Sequence, residues 1–266
     1  MTSGPPPPRS AALFLVVVLA LAVPIWALSR FVGVIGSLKV PVTDLLLAFT
    51  PLAAASLLVF RAEGAAGVAT LLKGAVDLRR LARSGWLAAA LLLAPLIYLL
   101  TYAALHVAAG YGGAPTPNWA ALPVLAAVML VLAIGEEAGW TGYLLGPLQA
   151  RFGALGASLI IAAPWWLGHI PSILEIDGDA TDLAIWIPGA VALRVLMTWL
   201  YNGSGGCLSA AVLFHALLNV GRLVSYPTIG AHYDPVYQAA GYAVASILVV
   251  IAVAGWGAKT LARRPT

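Results

Sequence analysis

Residues 119–145 read WAALPVLAAVMLVLAIGEEAGWTGYLL, an apolar run long enough to cross a bilayer, with two adjacent carboxylates, Glu136 and Glu137, toward its end. The whole chain of 266 residues contains only ten acidic side chains. An ionisable group inside a membrane span is costly and faces a bundle interior or a wet cavity, so two side by side make this run the place to begin.

The remainder of the chain is equally apolar. Hydrophobic residues make up 62% and charged residues 9%, with a mean hydropathy of +0.96. An ordinary soluble domain carries about 25% charged residues, so this chain cannot cover a water-facing surface and lipid is its main solvent. The long continuous runs exclude a β-barrel, which shows short alternating segments. A span takes about 20 apolar residues, and eight are predicted: 11–31, 42–60, 85–109, 119–145, 153–175, 183–201, 206–225 and 236–258. Gly and Pro punctuate the joints, at Gly112-Gly113, Gly153, Asp177-Gly178, Gly203 to Gly206 and Tyr226-Pro227. The predicted fold is an all-α polytopic transmembrane bundle. It forms one domain over 11–258, with a disordered tail at 1–10 and a basic tail at 259–266. The single Cys207 excludes an intrachain disulfide or a cysteine metal cluster.

The basic residues set the orientation rather than pointing to nucleic acid. With the N-terminus in the cytoplasm, the inner segments hold Arg9, Arg61, Lys73, Arg79, Arg80, Arg83, Arg151, Lys259, Arg263 and Arg264, and the outer loops hold only Arg30 and Lys39. Both termini are therefore expected in the cytoplasm. The acidic stretch ILEIDGDATD (173–182) then lies outside, and LLKGAVDLRRLARSG (71–85) is expected to form an amphipathic helix against anionic lipid. Ala20-Leu21-Ala22 resembles a signal-peptidase site, but the apolar run continues to Leu28, so the first span is expected to be an uncleaved anchor.

Few ionisable groups remain within the spans: Asp44, His106, Glu136, Glu137, His169, Arg194, His215 and Arg222. Adjacent helical positions point about 100° apart, so only one of Glu136 and Glu137 can face a given site. Trp140 follows Glu136 at i+4, on the same face. Span five carries PWWLGHIP (164–171), which reads either as an interfacial aromatic belt or as a site histidine, His169. Span seven carries LFHALLNVGR (213–222), in which His215, Asn219 and Arg222 share one stripe. His215 and Asn219 would serve helix packing or acyl-transfer chemistry equally well. Counted from the span midpoints, Glu136, His169 and His215 all lie within roughly 10 Å of the bilayer centre, His169 displaced outward. Asp44 and His106, near span ends, are expected at the interface, and His232 in solvent.

The combination EEAGW, WxxxH and HxxxN, on spans four, five and seven of eight, resembles the CPBP family of intramembrane CAAX proteases and bacteriocin-processing (Abi) proteins. GW-GYLLGPLQ is similar to bacterial members, and TWLYNGSGGCL (198–208) also resembles the family. The family's glutamate pair is followed by an arginine where this chain has Thr141. Its aromatic before the histidine corresponds here to Trp166, and its last motif to His215 and Asn219. The missing arginine leaves Glu137 without its local partner, and Arg194, deep in span six, is the proposed substitute. The resemblance implies a glutamic endopeptidase of the cell membrane, most naturally a bacterial plasma membrane. Glu136 would be the general base, His169 would share the nucleophilic water, His215 and Asn219 would be the oxyanion donors, and Glu137, Arg194 and Trp140 would support them. It implies no cofactor, although Glu136, His169 and His215 are also a plausible zinc ligand set. The expected partners are membrane lipid and a peptide or membrane-protein substrate, with no nucleic acid. A non-catalytic scaffold or immunity protein of the same fold, and a proton-coupled carrier, are the rival readings.

Overall fold

The computed structural model describes residues 9–35, 40–111, 118–225 and 234–262, and the chain is a multi-pass helical membrane protein. The first helix, α1, runs over Ala11–Val32, capped by the Ser10 hydroxyl, which accepts from the Leu13 amide. A two-residue antiparallel pairing of β1 (Val34–Ile35) with β2 (Val40–Pro41) leads into α2 (Val42–Leu47) and α3 (Thr50–Ala75). A short helix α4 (Leu78–Arg83) precedes α5 (Leu87–Tyr102), which continues as a π turn over Ala103–Ala108. Then come α6 (Leu122–Gly139), extended by a π turn at Trp140–Leu144, and α7 (Leu145–Glu175), α8 (Ala180–Gly203), α9 (Leu208–Ser225) and α10 (Pro235–Trp256).

Each of the eight expected spans has its helix. Six helical segments are long and apolar enough to cross a membrane, and the longest of them, 119–175, covers two expected spans. It breaks at Gly153, whose φ of 71° and ψ of 174° are not helical. An unbroken helix would separate positions 136 and 165 by about 44 Å, whereas their side chains touch, so the chain doubles back at this glycine. The left-handed φ favours glycine, and a Cβ there would stand 3.2 Å from the Lys259 carbonyl. The most buried helix, α9, packs against α3, α4, α5, α6 and α8, and α10 closes the bundle against α8 and α5.

In lipid, helices associate through close packing rather than through the hydrophobic effect. The contact of α6 with α3 shows how: a Cβ on Gly139 would come within 2.4–2.6 Å of Pro51, including its backbone, and one on Gly135 within 2.6 Å of the Ala48 carbonyl. Prolines 24, 95, 164, 171 and 188 sit inside helices, as membrane helices tolerate.

The loops differ from expectation in three places. The stretch 71–85 is not one helix: α3 ends at Ala75, and the Asp77 carboxylate caps a new short helix through the Arg80 amide. Of the expected N-terminal tail, Arg9 belongs to the fold, donating to the Gly142 carbonyl at 2.9 Å and pairing with Glu63 at 3.3 Å; residues 1–8 lie outside the described residues. At the C-terminal end Leu261 is fully buried, and the Lys259 carbonyl accepts from the Ala154 amide. The basic segments meet at one end of the bundle: Arg80 donates to the Gly205 carbonyl at 2.7 Å, and Asn202 links Gln149 to the Thr260 carbonyl.

Candidate active site

The helical twist sends the two adjacent glutamates of α6 into different surroundings. Glu137 has no exposed surface and turns into the packed interior between helices. Its Oε1 accepts from Arg194 Nη2 at 2.7 Å and His215 Nδ1 at 2.8 Å, and its Oε2 from Arg194 Nη1 at 3.1 Å and the Thr141 hydroxyl at 2.5 Å. One carboxylate is thus held by a two-pronged guanidinium from α8, an imidazole from α9 and a hydroxyl one turn on. Buried charge persists only when paired and hydrogen-bonded in this way.

Glu136 opens instead into a partly open cavity of about 740 Å³. Its Oε2 accepts from the Trp165 indole Nε1 at 2.7 Å. Its Oε1 stands 3.8 Å from His215 Nε2, too far for a direct hydrogen bond. His215, 3% exposed, therefore lies between the two carboxylates. Because Glu137 accepts, the His215 proton is assigned to Nδ1, which leaves Nε2 facing Glu136. His169 is oriented similarly: its Nδ1 lies 2.7 Å from the Trp165 carbonyl, which can only accept, so the neutral ring presents Nε2 as its basic nitrogen. Its ring sits edge-on to Trp165 and Trp186, with centroids 5.2 and 5.4 Å away.

Glu136, His169, His215 and Asn219 all line this one cavity, as does Trp140, which packs edge-on against Phe14. Arg194 and Glu137 stand behind the wall rather than in it. The expected outward displacement of His169 does not keep it from the cavity that Glu136 faces. Among the described residues, no three His, Cys, Asp or Glu side chains converge in an arrangement suited to a metal ion. Glu136, His169 and His215 share this cavity.

Asp44, expected near a span end, also lines this cavity, and its carboxylate accepts from the Ser172 hydroxyl of α7. Its partner lies 128 positions away, so no local pattern signals the contact. Arg222, on the stripe of His215 and Asn219, lines the cavity near Asp44. His106 bonds the Tyr237 hydroxyl, joining α5 to α10, and His232 lies outside the described residues. Of the two tandem tryptophans, Trp166 turns to the Leu183 carbonyl, 3.1 Å away, and Trp165 faces the site. The i, i+4 spacing of Trp165 with His169 was the available signal.

This is a membrane-embedded helical protein with a carboxylate and two imidazoles around one cavity. Residues 117–221 match the family model for the type II CAAX prenyl endopeptidase Rce1-like proteins. The chain is also similar to CAAX prenyl protease 2 of Methanococcus maripaludis, 28% identical over 109 residues. That stretch is 38% of this chain and spans 40% of the relative's length. The two matches support the CPBP family for this chain, and both names are those of proteases.

Proposed function

We propose that this protein is an intramembrane endopeptidase that hydrolyses peptide bonds of membrane-associated peptides or proteins, with Glu136 as its general base. The observation that carries the reading is the position of the Glu136 carboxylate. It faces a cavity, held on one oxygen by Trp165, with the other oxygen turned toward His215. A carboxylate with a free lone pair facing a cavity can take a proton from water.

In the proposed reaction, Glu136 accepts that proton as the water oxygen bonds to the peptide carbonyl carbon. His169 Nε2 orients the same water. The developing oxyanion is met by the Asn219 side-chain amide and by His215 Nε2. His215 Nδ1 already gives its proton to Glu137, so it donates through Nε2 only as an imidazolium. The charges then balance within the site: Glu136 and Glu137 against Arg194 and His215. When the intermediate collapses, the carbon–nitrogen bond breaks and the proton held by Glu136 passes to the leaving amine, by way of His169 where the geometry requires it. Glu137, Arg194 and Trp140 support this arrangement, and Arg194 takes the place of the family arginine that Thr141 lacks. No metal is assigned a role.

The basic end formed around Arg9, Arg80 and Lys259 supports an orientation with that end in the cytoplasm of a cell membrane, by the positive-inside rule. The relative's name supplies a probe: a prenylated peptide ending in a CAAX sequence, carrying a fluorophore and quencher across the cleavage site. Purified wild type is expected to release fluorescence, and Glu136→Gln to bind the peptide without cutting it. Membrane and secreted peptides from cells with each form widen the search to other substrates, through a fragment that disappears with the variant. A Glu136→Gln protein that produces the same fragments as wild type would leave a non-catalytic scaffold as the better reading.

A further inference from the structure

Trp165 touches more of the polar site than any residue assigned to it so far. It lies on α7, 4% exposed, with its indole Nε1 2.7 Å from Glu136 Oε2. The guanidinium carbon of Arg194 stands 3.9 Å above its ring centre. Its ring is edge-on to His169 at 5.2 Å and to His215 at 5.7 Å, and it packs on Trp186 at 5.1 Å. Its backbone carbonyl fixes the His169 ring through Nδ1.

These contacts form a closed circuit. Glu137 grips Arg194 with both oxygens, the Arg194 guanidinium stands over the Trp165 ring, Trp165 holds Glu136, and Glu136 precedes Glu137 in the chain. Packing alone does not call for tryptophan here, since any aromatic ring would fill the space between Arg194, His169 and Trp186. What tryptophan adds is one N–H, and that N–H is spent on the cavity-facing carboxylate. A glutamate side chain turns about several bonds, and a catalytic group needs holding to within about 0.5 Å of its working position. A cation on the ring face also draws electron density from the indole, which strengthens its N–H as a donor.

We propose that Trp165 is a positioning residue for Glu136. Its indole N–H fixes one carboxylate oxygen so that the other faces the cavity, and the buried Glu137–Arg194 pair holds the indole in place from behind. The second glutamate thus acts on the first through Arg194 and Trp165. This inference rests on the assignment of Glu136 as the base.

The test replaces Trp165 by phenylalanine and, separately, by benzothienylalanine, an isostere of the same shape with sulfur in place of the N–H. Cleavage of the quenched prenylated CAAX peptide is measured alongside Glu136→Gln. Both replacements are expected to lower kcat by about tenfold to a hundredfold, the usual weight of a hydrogen bond to a charged group, with KM little changed. In protein labelled with nitrogen-15 at its nine tryptophans, the Trp165 indole resonance, assigned by its loss in Trp165→Phe, should shift upfield in Glu136→Gln. A folded isostere as active as wild type beside an inactive Glu136→Gln overturns the role of Trp165 and leaves the base assignment standing. An active Glu136→Gln overturns the base assignment and this inference with it. An indole resonance unmoved by Glu136→Gln overturns the positioning contact whatever the activities.

Discussion

Arg194 and Glu137 meet through two parallel hydrogen bonds, of 2.7 and 3.1 Å, in a region where neither residue is more than 2% exposed. The pair joins α6 to α8 at membrane depth, and removing one partner would strand the other's charge in a medium that cannot solvate it. Arg194→Leu is therefore expected to destabilise the protein by about 3–5 kcal/mol. Replacing both residues, as Arg194→Met with Glu137→Leu, is expected to cost less than the single change, because no charge is left unpaired. Unfolding by sodium dodecyl sulfate from mild-detergent micelles measures both, and a double variant less stable than the single one would contradict the account.

Asn219 lies one turn after His215 on α9, and both side chains reach the cavity that holds Glu136. If its amide meets the oxyanion, Asn219→Ala loses about 10²–10³ in kcat with KM near the wild-type value. A large rise in KM at unchanged kcat would instead make it a substrate-binding residue. Asn219→Asp, which replaces the donor by a second negative charge, is expected to be at least as damaging.

Gly139 sits against Pro51 where α6 crosses α3, with no room for a methyl group. Gly139→Ala is expected to push the helices apart at a cost of about 1–3 kcal/mol. Its effect on activity should exceed that of alanine at Gly146, where a Cβ meets nothing within 4 Å, because Glu136 and Glu137 ride on the displaced turn. Equal stability of the two variants would mean that the helix contact is looser than the geometry requires.

Asp179 caps α8 with a reciprocal pair: its carboxylate accepts from the Thr181 and Asp182 amides, and the Asp182 carboxylate accepts from its own. Bonds from the Asp182 and then the Thr181 amide lower its pKa below the ordinary carboxyl value. A depressed carboxyl contributes stability that is complete above its unfolded pKa and fades as pH falls through the folded one. Wild type should therefore be more stable than Asp179→Ala near neutral pH, and the gap should close below about pH 4. A gap that persists unchanged to pH 2 would show that the cap does not act through its ionised form.

Most of the bundle was legible because lipid leaves a chain few choices: long apolar runs must be helices, and Gly153 marks a reversal in sequence as clearly as in space. The Arg194–Glu137 contact was legible from need, since a mid-membrane cation and a carboxylate lacking its usual neighbour each called for a partner. The break at Val76–Asp77 was not, because Lys73 to Arg83 keeps one amphipathic period through a point where the Asp77 cap restarts the helix. The inward turn of Asp44 was not legible, because position along a span says nothing about rotation, and α2 directs this carboxylate to Ser172. The choice of Trp165 over Trp166 was available in the i, i+4 spacing of Trp165 with His169, which puts those two side chains on one face of α7.

The central claim is that Glu136 activates water while its neighbour only supports it. The most direct measurement compares Glu136→Gln with wild type, as purified folded protein, for turnover of the prenylated CAAX peptide and for binding of the same peptide. The account predicts unchanged stability, retained binding and no detectable cleavage for the variant. Cleavage by Glu136→Gln at a rate near that of wild type would contradict it.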